Sequence, residues 1–132
     1  FAASFAAKLA DTFGSEIGKR FGQDTYLITS LKKVERGTEG GVSLEGTLAS
    51  FLGSIFMTFV MLRLSIISTK SHFIFVAVSG FLATLSESII GANFQNKYKL
   101  SNEFVNAIQT SIASIFAIFS IILYSFLLNY KN

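Results

Sequence analysis

The chain has 132 residues, 51% of them hydrophobic and only 14% charged, with a formal net charge of +3. The apolar residues are gathered into blocks instead of alternating with polar ones, which leaves too little polar surface for a water-soluble domain and makes no nucleic-acid partner expected. Cysteine is absent and His72 is the lone histidine, which excludes disulfides, thiolate sites and a zinc site.

Taken in chain order, Phe1 to Phe13 is apolar up to Lys8 and Asp11, with no basic leader ahead of it, so it does not read as a signal peptide. It reads as the latter part of a spanning helix that ends near Gly18. Residues 1–132 are therefore expected to form a single membrane domain, the carboxyl-terminal part of a longer protein. Lys8, Asp11 and Ser15 follow one another at intervals of three and four residues and share a helix face. A carboxylate this close to a membrane boundary is costly unless it has a partner. The bland account is a Lys8 to Asp11 pair at the interface; the functional one is a magnesium ligand, because magnesium takes one or two carboxylates together with substrate phosphates.

Segment 19–45 is a basic, glycine-containing loop. It holds Lys19, Arg20, Lys32, Lys33 and Arg36, and the run Arg36-Gly37-Thr38-Glu39-Gly40-Gly41 ahead of Gly46. Glycine lets a backbone approach a phosphate and turn N–H groups toward it, while Lys and Arg neutralise the charge. An anion cradle and an ordinary basic loop with a flexible turn both fit that composition.

Three spans follow. Leu48 to Ile67 carries Arg63 as its only charge, Phe73 to Gly91 carries only Glu87, and Phe104 to Leu128 carries none, each long enough for the hydrocarbon core. The expected fold class is all-α: a polytopic transmembrane helix bundle of three full spans plus part of an amino-terminal one. Gly46, Ser50 and Ser54 recur on one span, and Ala77, Gly80, Thr84, Ser88 and Gly91 on the next, as faces for close packing. Around the third connection Glu87, Ser88, Asn93 and Gln95 close one span while Asn102, Glu103, Asn106, Gln109 and Thr110 open the next. For Gln109 and Thr110, interhelical hydrogen bonding and ligand contact are both open. Segments 19–45 and 92–103 then fall on one side of the membrane and outweigh Lys70 and Lys131 opposite, which places that side in the cytoplasm, or the stroma of a plastid.

These residues carry a family resemblance. Ala10-Asp11-Thr12-x-x-Ser15-Glu16-Ile17-Gly18, Tyr26-Leu27-Ile28-Thr29 and Gly37-Thr38-Glu39-Gly40-Gly41-Val42-Ser43-Leu44-Glu45-Gly46-Thr47-Leu48-Ala49 resemble the phytyl-phosphate kinase family of plants and cyanobacteria. The likeness continues through Glu87-Ser88-x-x-Gly91-Ala92-x-x-Gln95 and Asn102-Glu103-x-Val105-Asn106. Glu87 and Glu103 stand where the family favours aspartate, one methylene longer, and Val34-Glu35-Arg36 lacks the family's proline pair, which leaves the loop less rigid.

The resemblance implies a multi-pass protein of a plastid or cyanobacterial-type membrane that transfers a phosphoryl group from a nucleoside triphosphate, CTP by preference, to phytyl phosphate, as in tocopherol synthesis. Its partners would be the lipid bilayer, the prenyl phosphate and the nucleotide, with Mg2+ as cofactor. On this basis Asp11, Glu16, Lys32 and Lys33 are expected to act in catalysis. Arg36, Gly37, Thr38, Glu39, Gly40 and Gly41, with Asn102 and Asn106, are expected to bind phosphates, and Asp11, Glu87 and Glu103 to hold the metal. The alternative is a transporter or lipid-binding membrane protein that uses the same carboxylates without catalysis.

Overall fold

The computed structural model describes residues 1–130, so the placement of Lys131 on the far side of the membrane lies outside the described residues. It is a helix bundle with one small antiparallel hairpin. Helix α1 covers Ala2–Phe21, strands β1 and β2 cover Thr25–Leu27 and Gly41–Ser43, and α2 covers Leu44–Arg63. Helix α3 covers Lys70–Ile90 and runs on through a π-helical turn, Gly91–Gln95, into the short α4, Asn96–Tyr98; α5 covers Asn102–Tyr130. Three stretches, Leu44–Arg63, Lys70–Tyr98 and Asn102–Tyr130, are long and apolar enough to cross a membrane. The multi-pass helical bundle expected from the apolar blocks is what the chain forms.

The boundaries shift where side chains cap the backbone. The first full span begins at Leu44, not Leu48, because the Ser43 hydroxyl accepts from the Gly46 N–H at 3.1 Å and starts the helix there. It ends at Arg63: Ser65 adopts a positive φ of 58° and turns the chain, so Ile67, though buried, belongs to the turn. Thr69 caps α3 in the same way through the His72 N–H. The first helix does not stop near Gly18 but runs on to Phe21.

Helix α1 is the centre of the bundle and packs on α2, α3 and α5. Its contact face is Ala3, Ala6, Ala7 and Ala10, all buried at helical spacing. Where α1 crosses α2, Gly14 and Gly46 meet: a methyl group on Gly46 would lie 2.8 Å from the Gly14 carbonyl oxygen. Gly80 of α3 abuts both Ser54 and Ala6. The small-residue faces of α2 and α3 are thus buried, while Phe51, Leu52, Phe56 and Phe59 of α2 point outward. Small residues inside and large apolar ones outside suit a bundle solvated by lipid, where close van der Waals approach and interhelical hydrogen bonds take the place of a hydrophobic core. Gln109 supplies such bonds. Fully buried on α5, it donates to the Ala7 carbonyl of α1 at 3.3 Å and the Thr84 hydroxyl of α3 at 3.2 Å. The Thr110 hydroxyl is spent on its own helix, bonding the Asn106 and Ala107 carbonyls, so interhelical bonding by the side chain is observed for Gln109 and not for Thr110.

Candidate functional site

Where α1 and α3 end and α2 begins, the helices diverge and leave a cleft of about 370 Å³. Its α1 wall is Asp11, Gly14, Ser15 and Gly18, one face at helical spacing, continued by Lys19. Glycines in that wall and at Gly46 of α2 keep it close to α2 without filling it. Thr84, Glu87 and Ser88 of α3 form the opposite wall, Asn102 reaches the mouth, and Gly37, Thr38, Glu39, Gly40 and Gly41 form the roof.

The roof is set by local backbone chemistry. Gly37 and Gly40 have φ of +83° and +73°, values that glycine adopts without steric cost. Thr38 closes a turn onto the Glu35 carbonyl through both its N–H and its hydroxyl, and the Gly41 N–H bonds the Thr38 carbonyl. Among the described residues, the N–H groups of Gly37, Glu39 and Gly40 donate no hydrogen bond that closes the loop. Gly40 rests on the end of α3 beside Ser88 and Ala92, and Gly91 lies next to it. The two connections placed on one side of the membrane from the sequence therefore touch.

Strand order explains which basic residues reach the cleft. β1 pairs with β2 along one edge, Thr25 opposite Ser43 and Leu27 opposite Gly41, while Tyr26 bridges to Lys33 along its other edge. Lys32 and Lys33 thus lie on the outer edge of the hairpin, away from β2 and the cleft. Lys33 pairs with Asp24, whose hydrogen bond and charge hold the ammonium above the ordinary lysine range. Arg36 does not line the cleft either. Lys19, expected only as part of the basic loop and with no site role, does.

The carboxylates divide in the same fashion. Asp11, Glu39 and Glu87 line the cleft. Glu16 is off the Asp11 face of α1 and faces Lys19 at 4.0 Å with its side chain largely exposed. Glu103 sits next to Asn102 but points elsewhere, since consecutive helical residues diverge by about 100°. Asn106 turns to α1, accepting a hydrogen bond from Lys8 at 3.0 Å; Lys8 also bonds Asp11 at 3.0 Å. The expected trio Asp11, Glu87 and Glu103 is thus not assembled, and among the described residues no group of three or more His, Cys, Asp or Glu side chains is placed to hold a metal by itself. Of the residues expected to bind phosphate, Gly37 to Gly41 and Asn102 come together here while Arg36 and Asn106 stay outside, as do Lys32 and Lys33, expected to act in catalysis.

The fold and the cleft define a polytopic integral membrane protein with a polar, charged site at one end of its spans. The chain belongs to the integral membrane protein family DUF92, whose pattern matches residues 1–115. It is 50% identical over 121 residues to the chloroplastic protein VTE6 of Arabidopsis thaliana, covering 89% of this chain and 36% of that protein. It is 46% identical over 119 residues to an uncharacterized membrane protein of Synechocystis, covering 89% of this chain and 46% of the relative. An uncharacterized membrane protein of Methanocaldococcus jannaschii is 32% identical over 124 residues, with 89% and 49% covered. The chain spans about half, or less, of the length of these relatives. No solved structure matches it.

Proposed function

We propose that the protein of which this chain forms part is a prenyl-phosphate kinase that transfers the terminal phosphoryl group of a nucleoside triphosphate, with CTP as the preferred donor, to phytyl phosphate. The observation that carries this reading is the cleft itself: Asp11, Glu87, Lys19 and the glycine roof line one volume at the end of the spans. Membership of a family that contains a chloroplastic relative supports a plastid or cyanobacterial-type membrane, and the motif resemblance to phytyl-phosphate kinases supports the acceptor.

In this reaction an oxygen of the prenyl phosphate attacks the γ-phosphorus, the bond from that phosphorus to the β–γ bridging oxygen breaks, and the nucleoside diphosphate leaves with the electron pair. Phosphoryl transfer depends chiefly on positioning and charge stabilisation, and the acceptor is already anionic, so no strong base is required. The roof amides of Gly37, Glu39 and Gly40 are uncommitted donors for phosphate oxygens, in the manner of a backbone nest. Lys19 supplies the adjacent positive charge. Ser88 and Asn102 supply neutral hydrogen-bonding groups on the facing wall and at the mouth, while the Thr84 hydroxyl is spent between helices. The donor set fits magnesium, which needs only one or two carboxylates when phosphates complete its shell; Asp11 and Glu87 would hold it, and it would neutralise charge on the transferring group. The prenyl tail lies in lipid between spans while its phosphate enters the cleft.

The test uses purified full-length protein with phytyl phosphate and each nucleoside triphosphate in turn, labelled at the γ position. Label appearing in a prenyl diphosphate, most rapidly from CTP, is the expected result. Tight binding of the prenyl phosphate with no label transfer from any nucleotide would favour the transporter or lipid-binding alternative.

A further inference from the structure

Asp11 is not a bare carboxylate. The Nζ of Lys8, one turn earlier on the same face of α1, lies 3.0 Å from Asp11 Oδ2 and 3.0 Å from Asn106 Oδ1 on α5. The two partners differ in freedom: the Lys8 side chain is 48% exposed and that of Asp11 19%. A half-exposed ammonium on a flexible four-carbon stem has the reach to turn from Asp11 and Asn106 toward the membrane surface. The carboxylate, walled by the cleft, stays.

We infer that Lys8 is the resident counter-cation of Asp11, parked there by Asn106, and that a divalent cation binds Asp11 by displacing it. The inference rests on the reading of Asp11 as a cation-holding group. Two properties of the site follow. Three acidic residues line the cleft against one basic residue, Lys19, and Lys8 offsets that excess while no cation is bound. A positive charge beside Asp11 also repels an incoming cation, so a free divalent ion is held weakly, whereas one that arrives with nucleotide phosphates brings its own compensating negative charge. Asn106, expected from its motif to touch phosphate, then acts as a positioning residue for Lys8.

The experiment is Mn2+ binding to the full-length protein in detergent, read from the electron paramagnetic resonance of the free ion, with neither nucleotide nor acceptor present. Lys8→Met is expected to tighten Mn2+ about tenfold, since a charge adjacent to the ligand is removed. Lys8→Arg, which keeps the charge, stays within about twofold of the wild type, and Asp11→Asn loses the site. Lys8→Met binding Mn2+ no more tightly, while Asp11→Asn still loses it, would overturn the displacement and leave Asp11 as a ligand. Undiminished binding in Asp11→Asn would overturn both. The wild-type protein provides a second readout that needs no variant to fold: acylation of Lys8 by an amine-reactive reagent, followed by mass spectrometry, rises several-fold as Mn2+ is added. Equal acylation with and without Mn2+ contradicts the release.

Discussion

Gly40 of the roof and Ser88 of α3 are in backbone contact, so close that a methyl group on the Gly40 Cα would sit 2.6 Å from the Ser88 carbonyl oxygen. This contact fixes the roof over the cleft. The φ of +73° at Gly40 adds a second reason for glycine there.

Gly40→Ala therefore lifts the roof from α3. The substitution meets the Ser88 carbonyl and the Ala92 backbone, neither of which can rotate away, and is expected to cost about 1–3 kcal/mol. The larger effect falls on transfer, which drops about 100-fold if the phosphate donors move by an ångström. Thermal unfolding in detergent together with initial rates separates the two. A variant with normal rates would show that the roof has no part in the reaction.

The geometry reverses the importance of the basic residues. Lys19→Ala is expected to raise the KM for nucleotide about tenfold, the loss of one charged hydrogen bond. Lys33→Ala removes only a surface pair with Asp24 and changes the same constant by less than about twofold. Steady-state kinetics on the two single variants decides between them, and a larger effect at Lys33 would restore the outer edge of the hairpin as the binding surface.

Gln109 ties α1, α3 and α5 together through two hydrogen bonds, yet its Oε1 is buried without a partner. Gln109→Leu keeps the volume, loses both bonds and relieves that buried oxygen. The expected net loss is about 1 kcal/mol, given the modest worth of hydrogen bonds between helices in a bilayer. Unfolding in mixed detergent measures it, with phosphoryl transfer retained. Complete loss of transfer in a stable variant would show that Gln109 touches a ligand.

The spans were legible because hydropathy and length are intrinsic to a crossing helix, and the faces of Gly46, Ser50 and Ser54 because small residues recur at helical spacing. Capping moved the edges: Ser43 begins α2 four residues before the apolar block does. The hairpin was hidden for another reason. Its strands are three residues each, too short for an alternating pattern, and the turn that returns the chain along the other edge of β1 holds Leu31 at a φ of 54° that favours glycine or asparagine. Without that hairpin, loop composition could not separate Lys32 and Lys33 on an outer edge from Gly37 to Gly41 over the cleft. Lys19 had a signal, since continuing α1 beyond Gly18 places it four residues after Ser15 on the same wall. Asp11, Glu87 and Asn102 of the motif string line one cleft, whereas Glu16 and Glu103 share a motif with the wall residues and not a face.

The most direct measurement is transfer of γ-labelled phosphate to phytyl phosphate by the full-length protein beside its Asp11→Asn variant, both checked for membrane insertion. Asn keeps the shape of Asp11 and removes its charge. Label is expected in the diphosphate with the wild type and reduced about 100-fold or more with Asp11→Asn, while both proteins insert equally. Equal transfer by the two proteins would contradict the assignment of Asp11 and, with it, the cleft as the seat of the reaction.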